Sequence, residues 1–370
     1  MSAALAALLD PARTTADGPV AGYVGADVPV ELLTAAGYHP VRLSGSPHED
    51  ASDGIGYLGG GLDPAACSVL TRLLHGGYGP LDVLVVSRDC EASLRLFYVL
   101  RELARVEPAV ALPPLHLIDV LHLPHRTTTR YVRAKVRGLR GWLQQRCGHT
   151  VSGDELAAAV AAHDRVRGLL RAVGELRGQR RLTGTEALGV VAATTRLPVH
   201  RAEELLTALV AELPGRDPRP GHPVYLTGSS HDCPDVYTAL EDAGLLIVGE
   251  DHDRGDLLST MDVGVPAGAA DVDALDLAVA ERYQHNGPSA PRAAIAERAA
   301  HTAAALRGRG AAGLLSYVRE HDDGPPWDFP AQRDAAGVPA AIVERQAYGL
   351  IDPSELDRAL SALGVPAVVA

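Results

Sequence analysis

The sequence predicts an α/β protein built from two doubly wound, parallel-sheet (Rossmann-like) domains with a helical middle segment. Short apolar runs of strand length alternate with helical stretches at both ends of the chain, which implies right-handed βαβ crossovers and parallel sheets. Between them lies a stretch with only helical periodicity. A loop rich in proline and glycine at 214–221 then marks the point where the alternation resumes. The expected boundaries are an N-terminal α/β domain at 1–126, a helical segment at 127–213 and a C-terminal α/β domain at 214–370.

In the first domain, residues 20–25 read as a strand, 29–36 as a helix and 41–43 as the next strand. The run at 81–87, set off by Gly79-Pro80, suits a parallel strand buried on both faces, and 115–120 is another. In the middle segment, Ser152 with Glu155 and Thr183 with Glu186 are capping-box pairs that mark two helix starts. Val132, Val136, Leu139 and Leu143 fall on one helical face. After the linker, strands are expected at 224–227, 245–248, 313–318 and 340–343, and helices at 234–242 and 292–307. Asp352, Pro353 and Glu355 open the last helix with an N-cap, a first-position proline and a capping-box carboxylate.

Composition narrows the function. The 370 residues carry a net charge of −12, which disfavours a nucleic-acid partner, because phosphate binding needs a contiguous basic surface. Aromatic residues are 4% of the chain, too few for a stacking platform. No apolar run reaches the roughly 18 residues of a membrane span, and residues 1–11 lack a signal-peptide pattern. Four cysteines do not make a disulfide framework. A cytoplasmic protein with neither nucleic-acid nor membrane partners is expected.

Several stretches then fall in the order of a known family. They are the opening 25–37 with Pro29, Glu31, Leu32, Ala35, Ala36 and Gly37; Cys67 ahead of the 81–87 strand and Cys90 behind it; Gly148-His149 leading to Ser152; 163–170; 226–229; Glu281-Arg282-Tyr283; and Gly337-Val338-Pro339. Over most of its length the chain resembles a cluster-bearing subunit of the 2-hydroxyacyl-CoA dehydratase and benzoyl-CoA reductase family. That resemblance implies a [4Fe–4S] cluster, an acyl-CoA substrate, a homologous second subunit and an ATP-dependent activator protein that delivers one electron. The implied activity is radical elimination of water from, or reduction of, an acyl-CoA thioester, with the cluster carrying the chemistry. A family member that has lost its cluster and serves as a partner or acyl-CoA-binding subunit is the alternative.

The resemblance implies Cys67 and Cys90 as metal ligands. Cys67 lies in the first turn of a helix opened by Asp63 and Pro64, where the dipole lowers a thiol pKa. Cys90 follows the carboxyl end of a central strand, and the two are expected to converge in the cleft. Two inert buried thiols are the bland reading; Cys147 and Cys233 are read as packing residues. The family's third cysteine is absent. Counting back from Phe329-Pro330 puts Asp322 in its place with His321 beside it, either a ligand pair or a solvated acidic loop. Glu31 is read as a catalytic base or as a carboxylate complementing a helix dipole. Gly228, Ser229, Ser230 and His231, between a strand and a helix, suit phosphate or thioester oxygens. Arg130, Arg133, Arg137 and Arg140 form a helical stripe for CoA phosphates, for solvent or for a subunit contact. His122 and His125 lack a third ligand for a metal site.

Overall fold

The computed structural model describes residues 2–10, 18–265, 271–288 and 293–365. In chain order the elements are α1 (Ala3–Leu9), β1 (Val20–Val24), α2 (Val30–Ala35), β2 (His39–Arg42), α3 (Ser52–Leu58), α4 (Pro64–Leu74), β3 (Val83–Ser87), α5 (Glu91–Val106) and β4 (Leu115–Ile118). The helices α6 (Arg126–Cys147), α7 (Gly153–Gly178), α8 (Gly184–Thr194) and α9 (Val199–Glu212) follow. Then come β5 (His222–Gly228), α10 (Asp235–Asp242), β6 (Leu245–Glu250), α11 (Val272–His285), α12 (Ile295–Arg309), β7 (Gly313–Arg319), α13 (Gly324–Ala336), β8 (Ala340–Gln346) and α14 (Pro353–Ala362).

Two four-stranded sheets, both parallel throughout, have the orders β2-β1-β3-β4 and β6-β5-β7-β8. The alternation of the strand side chains explains why each sheet is covered twice. In the first, Ala21, Tyr23, Val83 and Val85 face a core shared with α2, α6, α7 and α11. Val24, Leu84 and Val86 face the opposite core with α4 and α5. In the second, Val224, Leu226 and Ile247 face α8, α10 and α14, while Tyr225, Leu246 and Leu314 face α12 and α13. The expected two-domain parallel architecture is the one observed.

The helices of 127–213 do not form a layer of their own. The apolar stripe Val132, Val136, Leu139 and Leu143 of α6 lies against the first sheet. The later part of α7 packs with α1, α8 and α9, and Leu188 of α8 enters the core of the second sheet. Helix α11 follows β6 in sequence yet packs in the first domain through Leu275, Val279, Ala280 and Tyr283. Its anchor is electrostatic as well. Arg140 donates to both oxygens of the buried Asp276 at 3.1 and 2.8 Å, and Arg133 donates to the Asp273 carbonyl at 2.7 Å. The arginine stripe is therefore, in large part, an intramolecular contact with α11.

Both capping boxes form at Ser152/Glu155 and Thr183/Glu186. Asp352 caps α14 by accepting from the backbone N–H groups of Ser354 and Glu355, whereas the Glu355 side chain pairs with Arg358. The helix expected from residue 292 starts at Ile295; Arg292 itself lies outside the described residues. His321 and Asp322 lie in the turn and loop ahead of α13, which starts at Gly324; Pro325 and Pro326 are tolerated there because first-turn N–H groups have no helical partner.

Candidate functional site

Strand order reverses between β1 and β3 in the first sheet and between β5 and β7 in the second. Ligand crevices open at the carboxyl ends of strands flanking such reversals. Here the two crevices share one cavity of about 550 Å³. Gly25 and Ala26 after β1, Leu43 after β2, and Asp89 and Cys90 after β3 line one wall. Gly228 at the end of β5 and Ser230 after it, 251–254 after β6, and Arg319 with 321–323 at the end of β7 line the other.

Buried polar contacts hold the walls in register. Arg42, at the end of β2, pairs with Asp253 and donates to its carbonyl at 2.8 Å. Arg254 donates to the Ser44 hydroxyl at 2.8 Å and the Leu43 carbonyl at 2.7 Å. Arg319 reaches Asp63 at 2.9 Å. Burial opposes ionisation of Asp253, but Arg42 and Arg254 outweigh it and hold the carboxyl far below its usual range.

The family model for the 2-hydroxyglutaryl-CoA dehydratase D-component matches residues 26–344. The chain belongs to this 2-hydroxyacyl-CoA dehydratase family. It is also 23% identical over 332 residues to the beta subunit of (R)-2-hydroxyglutaryl-CoA dehydratase from Acidaminococcus fermentans, covering 83% of this chain and 81% of the relative.

Of the residues that the family resemblance singled out, Cys90, Gly228, Ser230, His321 and Asp322 line the cleft. Cys90 is the N-cap of α5, its sulfur accepting from the Ser93 N–H at 3.4 Å. Burial, helped by Asp89, pushes its thiol up to about 12. Cys67 turns away: it is buried in the α4–α5 core with Leu70, and burial together with Asp63 raises its pKa rather than lowering it. Its helix begins where expected, but its phase points the sulfur inward. Ser229 is a brace, donating to Asp322 at 2.6 Å and accepting from the Arg319 N–H at 2.9 Å. His231 is buried against Tyr237, His252 and Tyr317, and burial lowers its pKa well below the ordinary value. Helix α10 opens only at Asp235, so its N-terminal amides are not those of the 228–231 turn.

Glu31 is fully buried outside this cleft. It pairs with Arg167 and accepts from the Tyr283 hydroxyl at 3.0 Å. Burial pushes the carboxyl up, yet Arg167 and His163 pull it down to about 2. A carboxylate so held is a poor proton acceptor near neutral pH; it is placed to tie α2 to α7 and α11. His122 is likewise engaged, with Asp27 at 2.9 Å and the Gln284 carbonyl at 3.1 Å.

Four-iron clusters are held by cysteine thiolates. Cys90 is the one cysteine among the described residues on the cleft wall. Among the described residues no three His, Cys, Asp or Glu side chains group to hold a metal ion. The described residues of this chain do not by themselves fit a [4Fe–4S] cluster. What they do build is an acid- and arginine-lined cleft. Asp63, Asp89 and the run Glu250-Asp251-His252-Asp253-Arg254 were not singled out from sequence; the available signal was five consecutive polar residues directly after an apolar strand.

Proposed function

We propose that this chain is one subunit of a 2-hydroxyacyl-CoA dehydratase-like enzyme, and that its interdomain cleft receives the acyl-CoA thioester. The observation that carries this reading is a single cavity fed by both strand-reversal crevices in a member of this family. The homologous second subunit holds the iron–sulfur cluster required by the radical chemistry, and an ATP-dependent activator supplies its electron. The chain works in the cytoplasm; no helix among the described residues is long and apolar enough to cross a membrane.

Anaerobic reconstitution tests this division of labour. The chain alone is expected to take up much less than one cluster's iron and sulfide, whereas co-production with its homologous subunit gives a full complement. Dehydration of a 2-hydroxyacyl-CoA then requires the pair, the activator, ATP and a reductant. Asp322→Cys adds a thiol to the cleft beside Cys90 and is expected to raise the iron content of the isolated chain. A full cluster on the wild-type chain alone, lost in Cys90→Ser, would place the cluster here instead.

A further inference from the structure

The charged run after β6 contains a hydrogen-bond relay whose orientation the chemistry fixes. Glu250 is buried; burial opposes its charge, but Arg177 outweighs this and holds the carboxyl at about 2. Its Oε1 accepts from the Asp256 N–H at 3.1 Å. The Tyr237 hydroxyl lies 3.1 Å from Glu250 Oε2 and 2.9 Å from His252 Nε2. An ionised carboxylate only accepts, so the single Tyr237 proton goes to Glu250. The phenol oxygen must then accept from His252, which puts the imidazole hydrogen on Nε2. Burial keeps this ring neutral, although Glu250, Asp253 and Asp251 work the other way. Nδ1 is left with a lone pair.

That nitrogen is buried and has no partner among the described residues, while His252, 4% exposed, forms part of the cleft wall. The neighbouring Asp251, 3% exposed, takes the Thr302 hydroxyl on Oδ2 at 2.6 Å, and its Oδ1 is likewise unpartnered. The two acceptors are held toward different helices, His252 by Tyr237 of α10 and Asp251 by Thr302 of α12. A neutral imidazole nitrogen without a donor suits a hydroxyl.

We propose that His252 Nδ1 accepts a hydrogen bond from the hydroxyl of a 2-hydroxyacyl thioester, with Tyr237 as the positioning residue that fixes its tautomer. The inference rests on the acyl-CoA reading above and extends it to a specificity determinant. A site with a buried acceptor discriminates against a ligand that leaves it unpaired.

The full chain, labelled with ¹⁵N-histidine, is titrated with 2-hydroxyglutaryl-CoA and, separately, with glutaryl-CoA, and binding is followed by calorimetry. We expect an unprotonated Nδ1 in the free protein, identified by its loss in His252→Phe. It should shift on adding the hydroxylated thioester only, and that thioester should bind about tenfold more tightly. The preference should vanish in His252→Phe and weaken in Tyr237→Phe. A proton on Nδ1 in the free wild-type protein overturns the inference without recourse to any variant, as does a preference that survives both substitutions. Equal binding of the two thioesters with an unmoved Nδ1 signal overturns it while leaving the acyl-CoA reading intact. Failure of both thioesters to bind removes that reading, and the inference with it.

Discussion

Arg167→Met is expected to destabilise the fold by about 3–5 kcal/mol at neutral pH, the usual cost of stripping one partner from a buried ion pair. Glu31 would keep its charge in the core with only Tyr283 as a hydrogen-bond donor among its named contacts. The double variant Glu31→Leu/Arg167→Met should recover the part of the loss due to Glu31, because that buried charge leaves with its partner; Asp164, which also pairs with Arg167 at 2.6 Å, keeps the Val263 and Gly264 N–H groups. The pH dependence carries a sign. A carboxyl held at about 2 in the fold, against 4.5 for an ordinary glutamate, adds on the order of 3 kcal/mol. That stability is complete above pH 4.5 and is withdrawn as pH falls toward 2. In Arg167→Met burial still raises the carboxyl while His163 and Arg282 are left to lower it, so its pKa rises and the stability withdrawn on acidification shrinks. Urea unfolding of the three proteins across this range measures it. Equal stability of wild type and single variant would show that the pair contributes nothing.

The same residue shows where sequence reading stops. Glu31 was legible as a noteworthy carboxylate at a helix start, but its partners Arg167 and Tyr283 lie 136 and 252 positions away. Only the packing of α7 and α11 onto α2 brings these partners to the carboxylate. The strands were legible because both faces of each sheet are covered, which writes runs such as Val83–Ser87 directly into the sequence. Capping boxes were legible because their chemistry is local. Helix α13 was missed although its leading prolines are a usable start signal, since Pro330 interrupts the helical pattern, and α11's position was hidden by a return to the first domain that no local pattern encodes.

The cysteines divide along similar lines. Cys90 follows a central strand at a point of order reversal, and topology alone delivers it to the cleft. Cys67 sits in a helix, where orientation depends on phase. It shares a face with Leu70 three positions on, and that apolar face is the buried one. The phase was a usable signal that the sulfur points inward. The relay from Arg177 through Glu250 and Tyr237 to His252 was beyond sequence reading, because its hydrogen bonds join residues up to 73 positions apart.

Gly228→Ala is expected to cost roughly 3–5 kcal/mol, for two separable reasons. At φ +106° the residue is in a region that side chains rarely adopt, and an added Cβ would lie 2.2 Å from the Tyr317 carbonyl oxygen. That oxygen belongs to β7, the strand paired with β5, and already accepts from the Ser229 N–H, so it cannot retreat without breaking the ladder. Gly337, at φ +68° after α13, has nothing within 4 Å of the same added atom. Gly337→Ala therefore isolates the backbone term, about 1 kcal/mol. The difference between the two variants measures the steric term at the floor of the cleft together with the greater backbone strain at +106°. It should come with a functional signature, because Ser229 braces Asp322 and the Arg319 backbone from the adjacent position. Denaturant unfolding of both variants, together with thioester binding, makes the comparison. Equal costs would mean that β5 and β7 separate freely at this point and that the cleft floor is not rigid.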